Sequence, residues 1–278
     1  MAEKKTADMM YDLAPGNVLQ NMYLRRRLRL CLQAGQTFVE LGAGNGNISR
    51  LLVEEGLTGT GYDLSEDACA LNREKNADLI SKGSYQVVKG DFFAHEESVD
   101  YVVTSHVIEH LPDDLLTQFF VKSSQMLKPG GRILILVPAC MALWGIEDDT
   151  AGHYRRFEFT DFERIAKKHQ LHIEDMAGLT YPMSNLILGL SNHLVRKNDS
   201  WKKELSMQER TLVSSAGASK KVMFKSVFPW YFRYLVNEIT MYPWDLLQRL
   251  FRNNERSMII YCELTLRHSK KETKERKS

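Results

Sequence analysis

The chain has 278 residues, 44% hydrophobic and 26% charged, with a formal net charge of +2. That composition suits a folded chain with a sizeable core and excludes an intrinsically disordered one. The terminal RHSKKETKERKS holds six Lys/Arg against two Glu, so the remaining body is near −2, which argues against a basic nucleic-acid binder. Cys31, Cys69, Cys140 and Cys262 are scattered without a CxxC pair, against a disulfide framework or a zinc site and for a reducing compartment. The longest apolar run, ILILVPACMALWGI, contains Pro138 and is shorter than the roughly 20 residues of a membrane span. No apolar signal core follows MAEKKTADMMYD, so a cytoplasmic location is expected.

In chain order, YLRRRLRL at 23–30 has a basic helical face that reads as solvated. TFVELG at 37–42 is a short strand ending in glycine. NISRLLVEEG follows, with Ile48, Leu51 and Leu52 at helical spacing and Gly56 as its stop. TGTGYD is a second strand ending at Asp63, and Ser65 caps the next helix with Glu66 and Asp67 in its first turn. YQVVKGD and VDYVVTS are two further strands. Pro112, Asp113 and Asp114 open a helix whose inner face is Leu115, Leu116, Phe119 and Phe120, and KPGG breaks it. RILILVPA is apolar throughout, the pattern of a strand covered on both faces. Thr160 and Glu163 read as a capping box for a helix reaching His169. LHIEDMAGL is a sixth strand and SMIIYCELTLR the last. Between them, 181–254 reads as helical and crowded with Phe228, Trp230, Tyr231, Phe232, Tyr234, Tyr242, Trp244 and Phe251.

The glycine loop VELGAGNGNIS decides the ligand class. Its glycines are Gly42, Gly44 and Gly46, a G-x-G-x-G spacing, whereas a dinucleotide loop has G-x-G-x-x-G. Glu40 just upstream repels a pyrophosphate and suits a cationic ligand such as S-adenosylmethionine, which carries a sulfonium and an ammonium. Asp63, at the end of the next strand, is placed for ribose hydroxyls, and Asp91 and Phe92 of GDFF for the adenine.

VELGAGNGNIS, GYDLS, GDFF, VIEHLPDD and LKPGGRILILVPA, in this order, resemble the motifs of class I S-adenosylmethionine-dependent methyltransferases. The flavour is that of the small-molecule group with the ubiquinone-pathway O-methyltransferases. The resemblance covers about 36–180 and the last strand. It implies an α/β, Rossmann-like, seven-stranded, mostly parallel sheet with an antiparallel last strand and a helical insertion before it. The corresponding organisation is an N-terminal helical segment 1–35, a cofactor core 36–180, an insertion 181–254 capping the substrate, a final strand 255–268 and a basic tail 269–278. Carried over by resemblance, Glu40, Gly42, Ala43, Gly44 and Gly46 line the methionine part of the cofactor. Asp63 and Leu64 meet ribose and adenine, Asp91 and Phe92 the base, and Ser105, His106 and Val107 the methyl donor.

His106 is the first candidate for a general base, followed by His153 and Tyr154 in GHYRRFEFTDFE. Arg155 and Arg156 beside them read either as a clamp for an anionic substrate or as anchors to Glu147–Asp149. His106 and His110 have the i, i+4 spacing of metal ligands, but no third ligand is evident and no metal is expected. The expected substrate is a hydrophobic or amphipathic small molecule, methylated on oxygen first, with carbon and nitrogen open. A nucleic-acid partner is not expected, because the strand-four tip lacks the Asn/Asp-Pro-Pro-aromatic segment of enzymes methylating bases. The insertion is open to three uses: a lid, a peripheral membrane contact or a homodimer interface. The rival readings are a catalytically silent methyltransferase-like binding protein and a protein or RNA methyltransferase.

Overall fold

A computed structural model describes residues 10–11, 14–33, 35–189 and 228–267. The part of the expected insertion within 190–227 and the tail from 268 lie outside the described residues. Seven strands form one sheet: β1 Thr37–Leu41, β2 Thr58–Asp63, β3 Tyr85–Lys89, β4 Val99–Ser105, β5 Leu127–Pro138, β6 Leu171–Leu179 and β7 Ile259–Leu266. Their order is β3-β2-β1-β4-β5-β7-β6. β1 to β5 pair in parallel, and β7 inserts antiparallel to both β5 and β6. This is the Rossmann-like architecture expected from the motif order.

Helices cover both faces. On one, α1 (Pro15–Cys31) and α2 (Asn47–Glu54) bury Tyr23, Leu24, Leu28, Leu51 and Leu52 against Phe38, Tyr101, Leu134 and Tyr261. On the other, α5 (Asp113–Met126) and α7 (Phe159–Lys168) bury Phe119, Phe120, Phe162 and Ala166 against Val102, Ile133, Ile135 and Val137. In chain order, α3 (Glu66–Lys75) and α4 (Ala77–Ser81) follow α2, and α6 (Ile146–Ala151) precedes α7. Ile133 through Val137 are each at most 2% exposed, as a doubly covered strand requires. β5 begins earlier than its apolar run: Leu127–Pro138 takes in KPGG, with Gly130 at φ +80° and a register irregularity between Val99 and Tyr101.

Local signals set the helix ends. Ser65 Oγ accepts the Ala68 N–H at 3.3 Å to cap α3. The cap of α7 differs from the expectation: the box is Glu158 with Asp161, not Thr160 with Glu163. Asp161 reaches back to the Glu158 N–H at 2.8 Å, and the Glu158 carboxylate also accepts the Met141 N–H. The cap therefore lies two residues nearer the N-terminus than Thr160.

The basic face of α1 is largely covered and ion-paired rather than solvated, with Arg29 alone of its arginines remaining exposed. Arg25 and Arg29 pair with Glu55, Arg26 with Asp245, and Arg27 with Asp175 and the fully buried Glu263. The last helix, α8 (Glu238–Leu250), packs on α1 through a small core of Val18, Leu19, Met183, Val236 and Met241. Gln248 ties this corner together: its Nε2 donates to the Leu19 carbonyl and its Oε1 accepts the Thr180 N–H. Met10–Tyr11 pairs antiparallel with Phe228–Pro229 and fastens the chain's start to the same region.

Candidate active site

At the carboxyl end of β1 the chain turns through Gly42, Gly44 and Gly46 at φ +69°, +52° and +75°. This left-handed region is where glycine carries no steric cost. A Cβ on Gly42 would lie 2.3 Å from a Val107 methyl, so only glycine lets the loop rest on the tip of β4. A Cβ on Gly44 would meet nothing within 4 Å, so its backbone faces open space. The Gly44 and Ser65 N–H groups both donate to Asp63, at 2.9 Å each, which fixes its carboxylate against the loop. A carboxylate has about four acceptor positions, so two remain for ligand hydroxyls.

Leu64 beside it is 66% exposed and Asp91 is exposed, accepting the Phe93 N–H. Phe92 is only 1% exposed; its ring turns into the core against Phe119 and Tyr62. Ala43 and Glu40 are also buried. The Glu40 carboxylate accepts from Ser49 Oγ. Burial pushes the Glu40 carboxyl up to about 8; the Ser49 bond opposes this, and the Asp63 charge adds to it.

Ser105 ends β4 and His106 follows in a left-handed conformation at φ +57°. His106 keeps 40% of its side chain open to solvent, with its ring set against Gln20 and Glu109. Partial desolvation pushes its imidazole below the ordinary histidine value, with the nearby His153 and Arg156 acting in the same direction. Its Nε2 lies 3.0 Å from Gln20 Oε1 on α1, so this nitrogen donates and Nδ1 holds the lone pair. Nδ1 stands 3.8 Å from Glu109 Oε1.

Glu109 is wholly buried, and burial raises its carboxyl to about 7. His153 approaches it from the loop after β5, Nε2 to Oε1 at 3.9 Å. The wholly buried Asp148 of α6 organises that loop. It accepts from His153 Nδ1, Arg156 Nε and the Gly145 N–H, each at 2.8 Å. Arg156 also donates to the Ala139 carbonyl, and Arg155 to Asp113 and the Leu111 carbonyl. Both arginines are therefore anchors in this structure rather than a clamp. Tyr154 donates its N–H to the Glu109 carbonyl and leaves its side chain 45% exposed.

The glycine loop, Asp63, Asp91, Ser105–Val107 and His153 thus gather at the carboxyl ends of the parallel strands, where open α/β sheets bind ligands. Their donors and acceptors fit S-adenosylmethionine: an open Gly44 backbone, an anchored carboxylate with spare acceptor positions, and an exposed Leu64 for a base. Gln20 and Glu109 enter the site without a sequence signal of their own, whereas Asp148 belongs to the Glu147–Asp149 run, the anchor for the arginines in one of the two readings of the sequence. Gln20 sits in an ordinary helix and Glu109 in a segment readable as a turn.

A profile of the methyltransferase domain family matches residues 19–175, more than half of the chain. The chain belongs to the methyltransferase domain family. Among curated relatives, a ubiquinone biosynthesis O-methyltransferase of Hydrogenovibrio crunogenus is 25% identical over 52% of this chain and 66% of its own length. An uncharacterized methyltransferase of Geobacillus sp. strain WCH70 is 32% identical over 54% of this chain and 63% of its own. The chain thus spans just under two thirds of the length of these relatives. A Galdieria sulphuraria structure assigned as a sarcosine dimethylglycine methyltransferase shares the fold, with a TM-score of 0.57, 15% identity and coverage of 89% of this chain and 85% of that one. Magnesium protoporphyrin IX methyltransferase of Synechocystis PCC 6803 superposes over 59% of this chain and 77% of its own with a TM-score of 0.51 and 15% identity.

Proposed function

We propose that this protein methylates a hydrophobic or amphipathic small molecule on a hydroxyl oxygen. The observation that carries the reading is His106, a partly exposed neutral imidazole just past the end of β4, its Nε2–H held by Gln20. Bound S-adenosylmethionine supplies an electrophilic methyl carbon. The chain's own work is to hold and orient the partners: Asp63 takes ribose hydroxyls, the Gly44 backbone and Glu40 face the amino-acid end, and Leu64 and Asp91 meet the base. His106 Nδ1 takes the proton of the acceptor hydroxyl as the oxygen becomes nucleophilic. Gln20 keeps the ring in the tautomer that leaves Nδ1 as acceptor.

The acceptor class rests on two further points. Tyr231, Tyr234, Leu235, Ile239, Tyr242, Leu246 and Leu250 are all exposed in and before α8, an apolar surface carried by α1, the helix that supplies Gln20. Two curated relatives are named as ubiquinone biosynthesis O-methyltransferases, which favours oxygen as the acceptor atom. Among the described residues no helix is long and apolar enough to cross a membrane.

The test is methyl transfer from labelled S-adenosylmethionine to a panel of prenylated phenols, short phenols and amines. Label in the prenylated phenols, lowered about 10²–10⁴-fold in His106→Ala, is the expected result. Label confined to amines or to macromolecules would overturn the acceptor class. An unchanged rate in His106→Ala would remove the base.

A further inference from the structure

We propose that Glu109, His110 and His153 form a binding site for a divalent transition-metal ion of the zinc class. One ligand atom from each of the three residues lies within 4.8 Å of the others, and two of these residues are imidazoles. Zinc takes histidine nitrogen and carboxylate oxygen at about 2.0–2.2 Å in tetrahedral array, which sets ligand atoms roughly 3.3 Å apart. The 3.9 Å between His153 Nε2 and Glu109 Oε1 closes to that by about half an ångström, within reach of side-chain rotation.

A second observation is independent of the clustering. Glu109 is 0% exposed and neither carboxylate oxygen has a hydrogen-bond donor. Other buried acids of this chain are satisfied: Asp63 by Gly44 and Ser65, Asp148 by His153, Arg156 and Gly145, Asp175 by Tyr23 and Arg252, and Glu263 by Arg27 and Tyr261. Among the described residues Glu109 is the one buried carboxylate without a donor. A buried carboxylate with bare oxygens costs several kcal/mol, and a cation between it and two imidazoles removes that cost.

The imidazoles are oriented as metal-bound histidines are. His153 Nδ1 is held by Asp148 at 2.8 Å, the carboxylate–histidine pairing that presents Nε2 to a metal. His110 Nδ1 is held by the Gly152 carbonyl at 3.2 Å, the backbone version of the same device, and its ring meets that of His153 edge to face at 4.7 Å. The third ligand missing from the local His106–His110 spacing therefore comes from the loop after β5, and its partner is His110. Three protein ligands leave a fourth position for water or an acceptor oxygen. Use of that position by the acceptor rests on the methyl-transfer reading; the metal site does not.

The experiment takes the full chain, stripped with a chelator, and titrates it with Co²⁺ by visible absorption and with Zn²⁺ by displacement of the Co²⁺. S-adenosylhomocysteine affinity is measured on the same samples. One ion per chain is expected, with d–d bands unlike those of aqueous Co²⁺. Glu109→Gln and His153→Gln are expected to weaken it by at least about 100-fold, and His172→Ala, an exposed histidine on β6, to leave it unchanged. Retained S-adenosylhomocysteine binding in the two ligand variants shows that they are folded and separates this site from the cofactor site. A wild-type spectrum identical to aqueous Co²⁺, or Glu109→Gln and His153→Gln binding the ion as the wild type does, overturns the assignment.

Discussion

Gly44 and Glu40 make different demands on the same loop. A methyl group on Gly44 meets no protein atom, so Gly44→Ala costs only the left-handed backbone, about 1–2 kcal/mol. If that open space holds the cofactor, the same change lowers S-adenosylhomocysteine affinity more than tenfold, well beyond the stability loss seen by urea denaturation. Calorimetry on Gly44→Ala showing wild-type affinity would place the ligand elsewhere. Glu40 ties binding to protons. Its carboxyl sits at about 8, so it is mostly protonated at neutral pH. A cationic ligand favours the carboxylate, and binding then releases a proton. S-adenosylmethionine affinity should therefore rise from pH 6 to 8, with a flatter profile in Glu40→Gln, read by titrations in buffers of different ionisation enthalpy. Parallel profiles for the two proteins would remove Glu40 from the linkage. The glycines and Asp63 were legible because each answers a local need: a positive φ, or a strand end facing the loop. Phe92 shows the limit, since GDFF does not say which face of the sheet its rings take, and Phe92 turned inward onto Phe119.

At the scale of elements, α1 looks in isolation like a surface helix with too many arginines. Packed in place, it is bolted to the sheet by them. Arg27 donates through Nε and Nη2 to Glu263, a wholly buried carboxylate on β7 that Tyr261 and Arg132 also contact. Breaking a buried pair strands the remaining charge, at about 3–5 kcal/mol. With Arg132 left in place, Arg27→Ala should fall at the low end, near 3 kcal/mol. A thermal midpoint lowered by roughly 6–12 °C is the expected reading, and a shift under 2 °C would mean that Arg132 alone neutralises Glu263. The arginine run was visible in the sequence, but its partners were not. Arg27 and Glu263 are far apart along the chain, and a helical wheel carries no information about which strand it will meet. The loop of His153 behaves likewise: Asp148 and Arg156 are near neighbours in sequence, so their pairing was one of two open readings, and burial of Asp148 decides it.

Across the whole molecule, Asp175 joins three elements. On β6 it accepts from Tyr23 of α1 at 2.6 Å and from Arg252 beyond α8, with Arg27 nearby. Burial raises its carboxyl, but these bonds and charges outweigh burial and hold it below the usual carboxylate value. A depressed folded-state value contributes stability that is present above about pH 4 and lost as pH falls through the folded value. Asp175→Asn should therefore be less stable than the wild type at pH 7, and the gap should narrow in urea titrations as pH falls below the ordinary aspartate range. An equal gap at every pH would mean that shape, not charge, makes the contact. By itself, the sequence determined the strand order of chemistry: a glycine loop, three strand ends with their polar residues, and an apolar central strand. These follow from period, turn residues and caps, all of which act over a few positions. Only the tertiary structure decided that α1 carries Gln20 to His106, that α8 backs α1, and that Glu109 lies bare between two imidazoles. Those meetings join residues distant in the chain, and their energy comes from burial and charge pairing that exist only once the sheet has closed over them.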